Sequence, residues 1–150
     1  MKEKAAMKPK FTREAVRLSR SPTLGSLEKI MKMLLAPGGC PWDRRQTHST
    51  LLKYLREEAG EVSRAVRKKD WANLKEELGD VLLQVVFHSA LARRDGRFGL
   101  GDVIRTINAK MVRRHPHVFG GGKLSTPAQV LRQWKIIKKA EKTRARGKKV

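Results

Sequence analysis

The sequence predicts an all-α fold, and three observations support this fold class. Apolar residues recur at three- and four-residue steps along most of the chain, and no alternating segments rich in Val, Ile and Thr indicate strands. Gly, Pro and short basic runs interrupt the helical pattern. Apolar residues make up 39% and charged residues 33% of the 150 residues, a composition typical of a soluble globular protein.

Five helices are expected in chain order. Their predicted ranges are 24–36, 47–68, 70–94, 100–115 and 127–142, with an ordered loop at 40–43. Thr47 or Ser49 can cap the second helix and Asp70 the third, because their side-chain oxygens accept hydrogen bonds from free backbone amides. Pro127 suits the first turn of the fifth helix, where no intrahelical amide bond is lost.

The second and third helices are expected to pack as an antiparallel hairpin within a bundle. The second carries one apolar stripe, which consists of Leu51, Leu52, Leu55, Ala59, Val62 and Val66. The third is apolar around most of its circumference from Leu78 to Ala92, as is typical of a buried central helix. Three or four helices of one chain do not suffice to cover such a helix. We therefore expect a homodimer, or a larger homo-oligomer, whose interface uses these two helices.

The charge distribution predicts three parts of the chain. Residues 1–22 form a basic N-terminal segment that is expected to be flexible, residues 23–142 form the folded domain, and residues 143–150 form a basic C-terminal tail. The formal net charge of +21 favours polyanionic partners. The basic ends are interpreted either as solvated tails or as non-specific contacts with nucleic acid.

The same sequence indicates a cytoplasmic protein without a membrane segment. No apolar run approaches the ~20 residues that a membrane-spanning helix needs. Met1 to Lys10 carry charge but no apolar core, so a secretory signal is not predicted. Cys40 is the only cysteine and cannot form an internal disulfide, which suits a reducing compartment.

Acidic residues are concentrated in the predicted hairpin. The chain has 14 Asp and Glu residues, and six of them lie in this short region: Glu57, Glu58, Glu61, Glu76, Glu77 and Asp80. Carboxylates held together without a counter-charge are costly, so a divalent cation or basic side chains must compensate them. Oxygen ligands favour Mg²⁺ or Mn²⁺ over zinc. The alternative is a set of salt bridges to Arg64, Arg67, Lys68 and Lys75.

The acid pattern resembles the signature of the MazG family of nucleoside triphosphate pyrophosphohydrolases. The pattern is Glu57-Glu58-x-x-Glu61 followed by Glu77-x-x-Asp80. Flanking motifs match in the same order: Gly39-Cys40-Pro41-Trp42-Asp43, Gln46-Thr47-His48 and Arg113-Arg114-His115-Pro116-His117-Val118-Phe119. The similarity runs from about Leu24 to Lys142. The chain carries one such domain and resembles the first domain of two-domain members.

The resemblance implies a dimeric helical bundle that hydrolyses a nucleoside triphosphate to monophosphate and pyrophosphate with Mg²⁺, for which Mn²⁺ can substitute. It assigns the metal-site roles to Glu57, Glu58, Glu61, Glu77 and Asp80. Glu57 and Glu58 are the candidate catalytic residues, with Glu57 the first choice as general base. Lys110 and Arg114 match positions linked to substrate phosphates, and Trp134 matches an aromatic residue near the nucleotide.

Two alternatives from other functional classes stay open. In one, the chain is a catalytically weak or inactive relative that acts as a dimeric interaction module. In the other, it is a basic nucleic-acid-associated domain, which predicts salt-sensitive binding and no metal-dependent turnover.

Overall fold

The helices of this chain follow one another with short connections. A computed structural model describes residues 12–147, with side chains described up to residue 144. In that part of the chain there are eight α-helices and no β-strand: α1 (Arg13–Ser19), α2 (Leu24–Leu35), α3 (Pro41–Arg44), α4 (His48–Lys68), α5 (Trp71–Arg94), α6 (Leu100–Arg114), α7 (Pro116–Phe119) and α8 (Pro127–Gly147). The chain divides into two compact units between Leu100 and Gly101, each described by itself below. No described helix is both long enough and apolar enough to cross a membrane.

The five predicted helices are confirmed as α2, α4, α5, α6 and α8, and the all-α fold class with them. Helix α1 was not predicted and lies within the segment 1–22 that was expected to be flexible. Thr12 starts it, because its side chain accepts a hydrogen bond from the Ala15 amide at 3.1 Å. Residues 1–11 of that segment lie outside the described part of the chain. Helix α8 continues to Gly147, so the expected tail at 143–150 begins inside a helix.

The predicted loop at 40–43 is wrong in detail, because Pro41–Arg44 form one helical turn, α3. Proline fits its first position, where the amide hydrogen would not be used within the helix. The approach to this turn is tight. The amide of Cys40 donates to the carbonyl of Leu34 at 2.8 Å, which folds the Gly38-Gly39 segment back onto the end of α2.

Helices α4 and α5 form the predicted antiparallel hairpin, and both of its helix starts are capped. Thr47 and Thr50 form a reciprocal capping box at the start of α4. At the turn, Lys69 adopts a left-handed conformation with φ of 56° and ψ of 31°. Asp70 then caps α5 by accepting a hydrogen bond from the Asn73 amide at 3.1 Å. The turn therefore fixes how the two helices face each other.

The core of the first unit lies where α2 packs against α5 and where α4 packs along α5. Met31, Leu51, Val86 and Leu91 are its fully buried side chains. Helix α5 is nevertheless not buried all round within one chain. Leu78, Leu82 and Val85 share one face and are 52%, 40% and 37% exposed.

The second unit is held by contacts between the end of α6 and the middle of α8. Glu141 accepts hydrogen bonds from Arg113 at 2.8 Å and from Arg114 at 2.7 Å. The indole of Trp134 donates to the Arg114 carbonyl at 2.8 Å, and the His115 ring meets it edge-on at 5.2 Å. Two side chains of α8, those of Glu141 and Trp134, thus bond to two guanidinium groups and one backbone carbonyl at the end of α6.

Candidate metal centre

Three carboxylates meet between the two helices of the hairpin. Glu58 on α4 and Glu77 and Asp80 on α5 each place a carboxylate oxygen within 4.8 Å of the others. Glu77 and Asp80 lie on one face of α5 because they are three residues apart. Glu77 is only 9% exposed, Glu58 is half-buried and Asp80 is exposed. The cluster is therefore open on one side and enclosed on the other.

The electrostatics of this cluster are unfavourable without a cation. Burial raises the pKa of Glu58, and the neighbouring Asp80 and Glu77 raise it further. Burial also raises the pKa of Glu77, followed by the charges of Glu61 and Asp80, while a hydrogen bond from Asn73 opposes the rise. In the described part of the chain, no lysine or arginine pairs with Glu58, Glu77 or Asp80.

The remaining two predicted ligands lie beside the cluster rather than within it. Glu61 forms an ion pair with Arg64, one turn further along α4. Its charge still raises the pKa of Glu77, so it is close to the centre. Glu57 is exposed and contributes least among the neighbouring acids to the raised pKa of Glu58. The salt-bridge alternative thus accounts for Glu61, while Arg67 instead donates to Ser63.

A line of polar side chains continues from the cluster along one face of α5. Gln84 follows Asp80 by four residues and His88 follows Gln84 by four, so all three share one side of the helix. Gln84 is 7% exposed, and its Oε1 atom has no hydrogen-bond partner. His88 approaches His48 on α4, with 2.8 Å between their Nδ1 atoms, and its Nε2 atom has no partner. Sequence reasoning missed the two-histidine contact, because its partners are 40 positions apart and no spacing rule links residues on two different helices.

The predicted phosphate- and base-binding residues all lie in the second unit, and two of them already have partners. Arg114 is held by Glu141, whose hydrogen bond raises the pKa of the guanidinium. Trp134 donates its indole hydrogen to the Arg114 carbonyl and carries the Lys138 ammonium 5.8 Å from its ring centroid. Lys110 is half-buried on α6. The guanidinium of Arg114 is therefore already engaged by the carboxylate of Glu141.

Comparisons with known proteins show the family to which the chain belongs. Residues 46–119 match the model of the MazG nucleotide pyrophosphohydrolase domain. The chain is 49% identical over 124 residues to a Thermotoga maritima protein named nucleoside triphosphate pyrophosphohydrolase/pyrophosphatase MazG, covering 83% of this chain and 47% of that relative. It is 43% identical over 114 residues to the nucleoside triphosphate pyrophosphohydrolase of Escherichia coli K12, covering 75% of this chain and 43% of that relative.

A solved structure shows the same fold over nearly its whole length. The crystal structure of a MazG-related protein from Thermotoga maritima matches with a TM-score of 0.66 and 35% identity, covering 77% of this chain and 99% of that one. The matched residues include the whole α4–α5 hairpin, and the family is one of helical nucleotide pyrophosphohydrolase domains. The chain is a member of the MazG family. It spans about half or less of the length of the curated relatives that it matches.

Proposed function

We propose that this chain hydrolyses nucleoside triphosphates to nucleoside monophosphate and pyrophosphate with the help of Mg²⁺. The observation that carries the proposal is the convergence of Glu58, Glu77 and Asp80 within 4.8 Å, without a basic side chain from the described residues to neutralise them. The names of the relatives from Thermotoga maritima and Escherichia coli support the reaction.

The three carboxylates fit a hard divalent cation. They offer only oxygen atoms, which Mg²⁺ and Mn²⁺ prefer. Burial, followed by the charges of neighbouring acids, raises the pKa of Glu58 and of Glu77, and a cation held beside them would offset both effects. Glu58, Glu77 and Asp80 would hold the ion. When bound, the ion supplies positive charge that offsets the negative charge of the triphosphate oxygens.

The residues around this centre have separate tasks. The hairpin holds Glu58 and Glu77 in place, since both helices are capped and packed. Glu57 is the proposed general base, because it is exposed beside Glu58 and has no ion-pair partner among the described residues. It accepts a proton from the attacking water. The water oxygen forms a bond to the α-phosphorus, the bond from that phosphorus to the bridging α,β-oxygen breaks, and pyrophosphate leaves.

Lys110 is the proposed phosphate-binding cation, and Arg114 is proposed to assist it once its pair with Glu141 loosens. Trp134 is proposed to border the nucleotide. We also propose that the chain acts as a homodimer, since the α5 face of Leu78, Leu82 and Val85 is left exposed in the single chain. The cytoplasm is its proposed compartment, since Cys40 is the only cysteine of the sequence.

Pyrophosphate release from a panel of nucleoside triphosphates, with Mg²⁺ and with a chelator, tests the proposal. We expect turnover only with the metal. Replacement of Glu57 by Gln should then lower kcat by about 10²–10⁴-fold while Mg²⁺ binding persists, because a base is lost and the ligands remain. The matched control is Glu76→Gln, which alters an exposed acid of the same hairpin. Mg²⁺ binding without release of pyrophosphate from any substrate would refute the enzymatic proposal and favour an inactive interaction module.

A further inference from the structure

Helix α8 presents a line of positive charges on one face. Arg132, Lys135, Lys139 and Lys142 are all exposed. With about 100° between successive residues, the four fall within an arc of about 80°. They extend over ten residues, or about 15 Å along the helix. We call these four residues the α8 basic stripe.

The α8 basic stripe points away from the side of the helix that packs. Val130, Trp134, Ile137 and Glu141 are half-buried and lie on the opposite side of α8. Trp134 and Glu141 bond to the end of α6, which fixes the rotation of α8 about its axis. The position of the stripe is therefore set by the fold of the second unit rather than by the free motion of a tail.

Neighbouring acids do not neutralise this stripe. Glu141 is the only acidic residue of α8, and its carboxylate already accepts hydrogen bonds from Arg113 and Arg114. Those arginines hold its pKa at about 2, so it stays ionised and paired. In the described part of the chain, the stripe residues have no ion-pair partner. A solvated helix face usually mixes the two signs of charge, whereas this one carries a single sign.

We propose that the α8 basic stripe binds the phosphodiester backbone of a nucleic acid without reading its sequence. Four cations along about 15 Å can reach phosphates on both sides of a groove, since the major groove of B-DNA is about 12 Å wide. Three of the four residues are lysines, which recognise phosphate as a point charge, and contacts to phosphate carry no sequence information, so we expect no sequence preference. The stripe shares no residue with the carboxylate cluster, and the proposal does not depend on the proposed hydrolysis.

The exposed apolar side chains of α8 favour nucleic acid over a membrane surface. Leu131 and Ile136 are 55% and 71% exposed, but they lie on opposite flanks of the stripe, about 140° apart around the helix. A helix that lies in a membrane interface needs one continuous apolar face beside its charges. Among the described large apolar side chains of α8, only these two separated residues lie outside its packed side.

Fluorescence anisotropy with short labelled duplexes of DNA and of RNA tests the proposal over a salt series. The variant is Lys135→Gln/Lys139→Gln, and the matched control Lys53→Gln/Lys68→Gln removes the same charge from exposed positions of α4. Each phosphate contact adds about 0.9 to the slope of log affinity against log salt. The stripe variant should therefore have a slope about 2 smaller than the parent. The ratio of the affinity of the parent to that of the stripe variant should therefore fall about tenfold as the salt concentration rises from roughly 50 to 200 mM.

The control should keep the slope of the parent, and the relative affinity for the two duplexes shows whether DNA or RNA is the better ligand. Equal effects of the variant and the control, or no salt-sensitive binding by the parent, would overturn the proposal. So would stripe-dependent binding to vesicles of phosphatidylcholine and phosphatidylserine that exceeds binding to both duplexes. Far-ultraviolet circular dichroism of both variants verifies that the helices persist.

Discussion

His48 and His88 face each other across the α4–α5 hairpin with their Nδ1 atoms 2.8 Å apart and their rings 16° from parallel. Only one of the two Nδ1 atoms can carry the hydrogen of this contact. If both were protonated, two N–H donors would face each other without an acceptor. Burial lowers the pKa of His88, and the charge of His48 lowers it further. The folded state therefore resists a proton that the unfolded chain accepts near pH 6.5.

The first prediction is a loss of stability in mild acid. Because the folded pKa of His88 lies below the unfolded value, the unfolded chain binds more protons as pH falls from about 7 to 5. The free energy of unfolding should fall over that range, and His88→Gln should make this fall smaller. Urea titrations at several pH values measure it. His117→Gln, a histidine of the second unit, is the control, and an unchanged pH dependence in His88→Gln would contradict the prediction.

The second prediction concerns Mg²⁺ and thermal stability. A ligand that binds only the folded chain raises its melting temperature, so Mg²⁺ should stabilise the parent. Asp80→Asn and Glu77→Gln should lose that effect. Without metal, Glu77→Gln should equal or exceed the parent at neutral pH. The pKa of Glu77 is raised in the folded chain, so ionisation of this carboxyl lowers the free energy of unfolding once the pH exceeds the pKa that Glu77 has in the unfolded chain. The amide of Gln does not ionise, so the variant avoids this loss.

Glu61→Gln is the comparison variant, because this acid already pairs with Arg64. An exposed pair contributes about 0–1 kcal/mol, so its loss should be small with or without metal. We expect it to weaken Mg²⁺ binding less than Asp80→Asn does. No stabilisation of the parent by Mg²⁺, together with lower stability of both ligand variants, would support the salt-bridge alternative and remove the metal centre.

The third prediction is a dimer through α5. Leu78, Leu82 and Val85 are large apolar side chains on one face of α5, and each is more than a third exposed, so a second copy is expected to cover them. Light scattering should give a dimer for the parent. It should give a monomer for Leu82→Lys, because a buried unpaired ammonium is costly. Val118→Lys places the same charge on an exposed apolar residue of the second unit as a control. A monomeric parent at micromolar concentration rules this interface out.

The fourth prediction concerns the ion pairs of Glu141. Hydrogen bonds from Arg114 and Arg113 lower its pKa to about 2, so this carboxylate adds stability above its unfolded pKa. That contribution should disappear as pH falls from about 4.5 to 2. Glu141→Gln should lower the stability of the second unit at neutral pH and flatten its acid dependence. Fluorescence of Trp134 in a Trp42→Phe/Trp71→Phe background isolates this unit. If the stability of the second unit falls equally with decreasing pH in the parent and in Glu141→Gln, this loss of stability does not come from Glu141.

The fifth prediction compares two glycines. An added Cβ at Gly39 would collide with the backbone carbonyls of Met33 and Leu34, so Gly39→Ala should cost about 1–3 kcal/mol. At Gly60 the nearest atom to such a Cβ is Arg64 Nη1 at 3.5 Å, an ordinary contact. Gly60→Ala should therefore stabilise α4 by about 0.5–1 kcal/mol. Denaturant unfolding measures both. Destabilisation by Gly60→Ala would mean that a partner or ligand packs against this glycine.

Much of the fold was predictable because its signals are local. Caps such as Thr47 and Asp70, and the helical spacing of the leucines, depend on residues a few positions apart, so the five main helices were found. The single turn of α3 and helix α1 were missed, because short helices depend on contacts with neighbouring elements more than on periodicity.

The acids that form the site could be predicted from the sequence, but the partner that each acid contacts could not. Spacing placed five acids on two facing helices, yet it could not tell that Glu61 turns to Arg64 while Glu58 joins Glu77 and Asp80. Side-chain rotamers decide this, and they depend on three-dimensional neighbours. The same limit applies to Arg114, whose pairing with Glu141 joins residues 27 positions apart.

The left-handed turn at Lys69 has a consequence for how this protein reaches its native state. Glu58 and Glu77 are fewer than 20 positions apart, and the only chain between them is the hairpin itself. Closing so short a loop costs little entropy, and contacts local in sequence form quickly during folding. The acid cluster can therefore assemble while most of the chain is still unfolded. A cation present at that moment would meet its ligands early and accelerate folding, whereas in its absence the mutual repulsion of the acids would slow the closure of the hairpin.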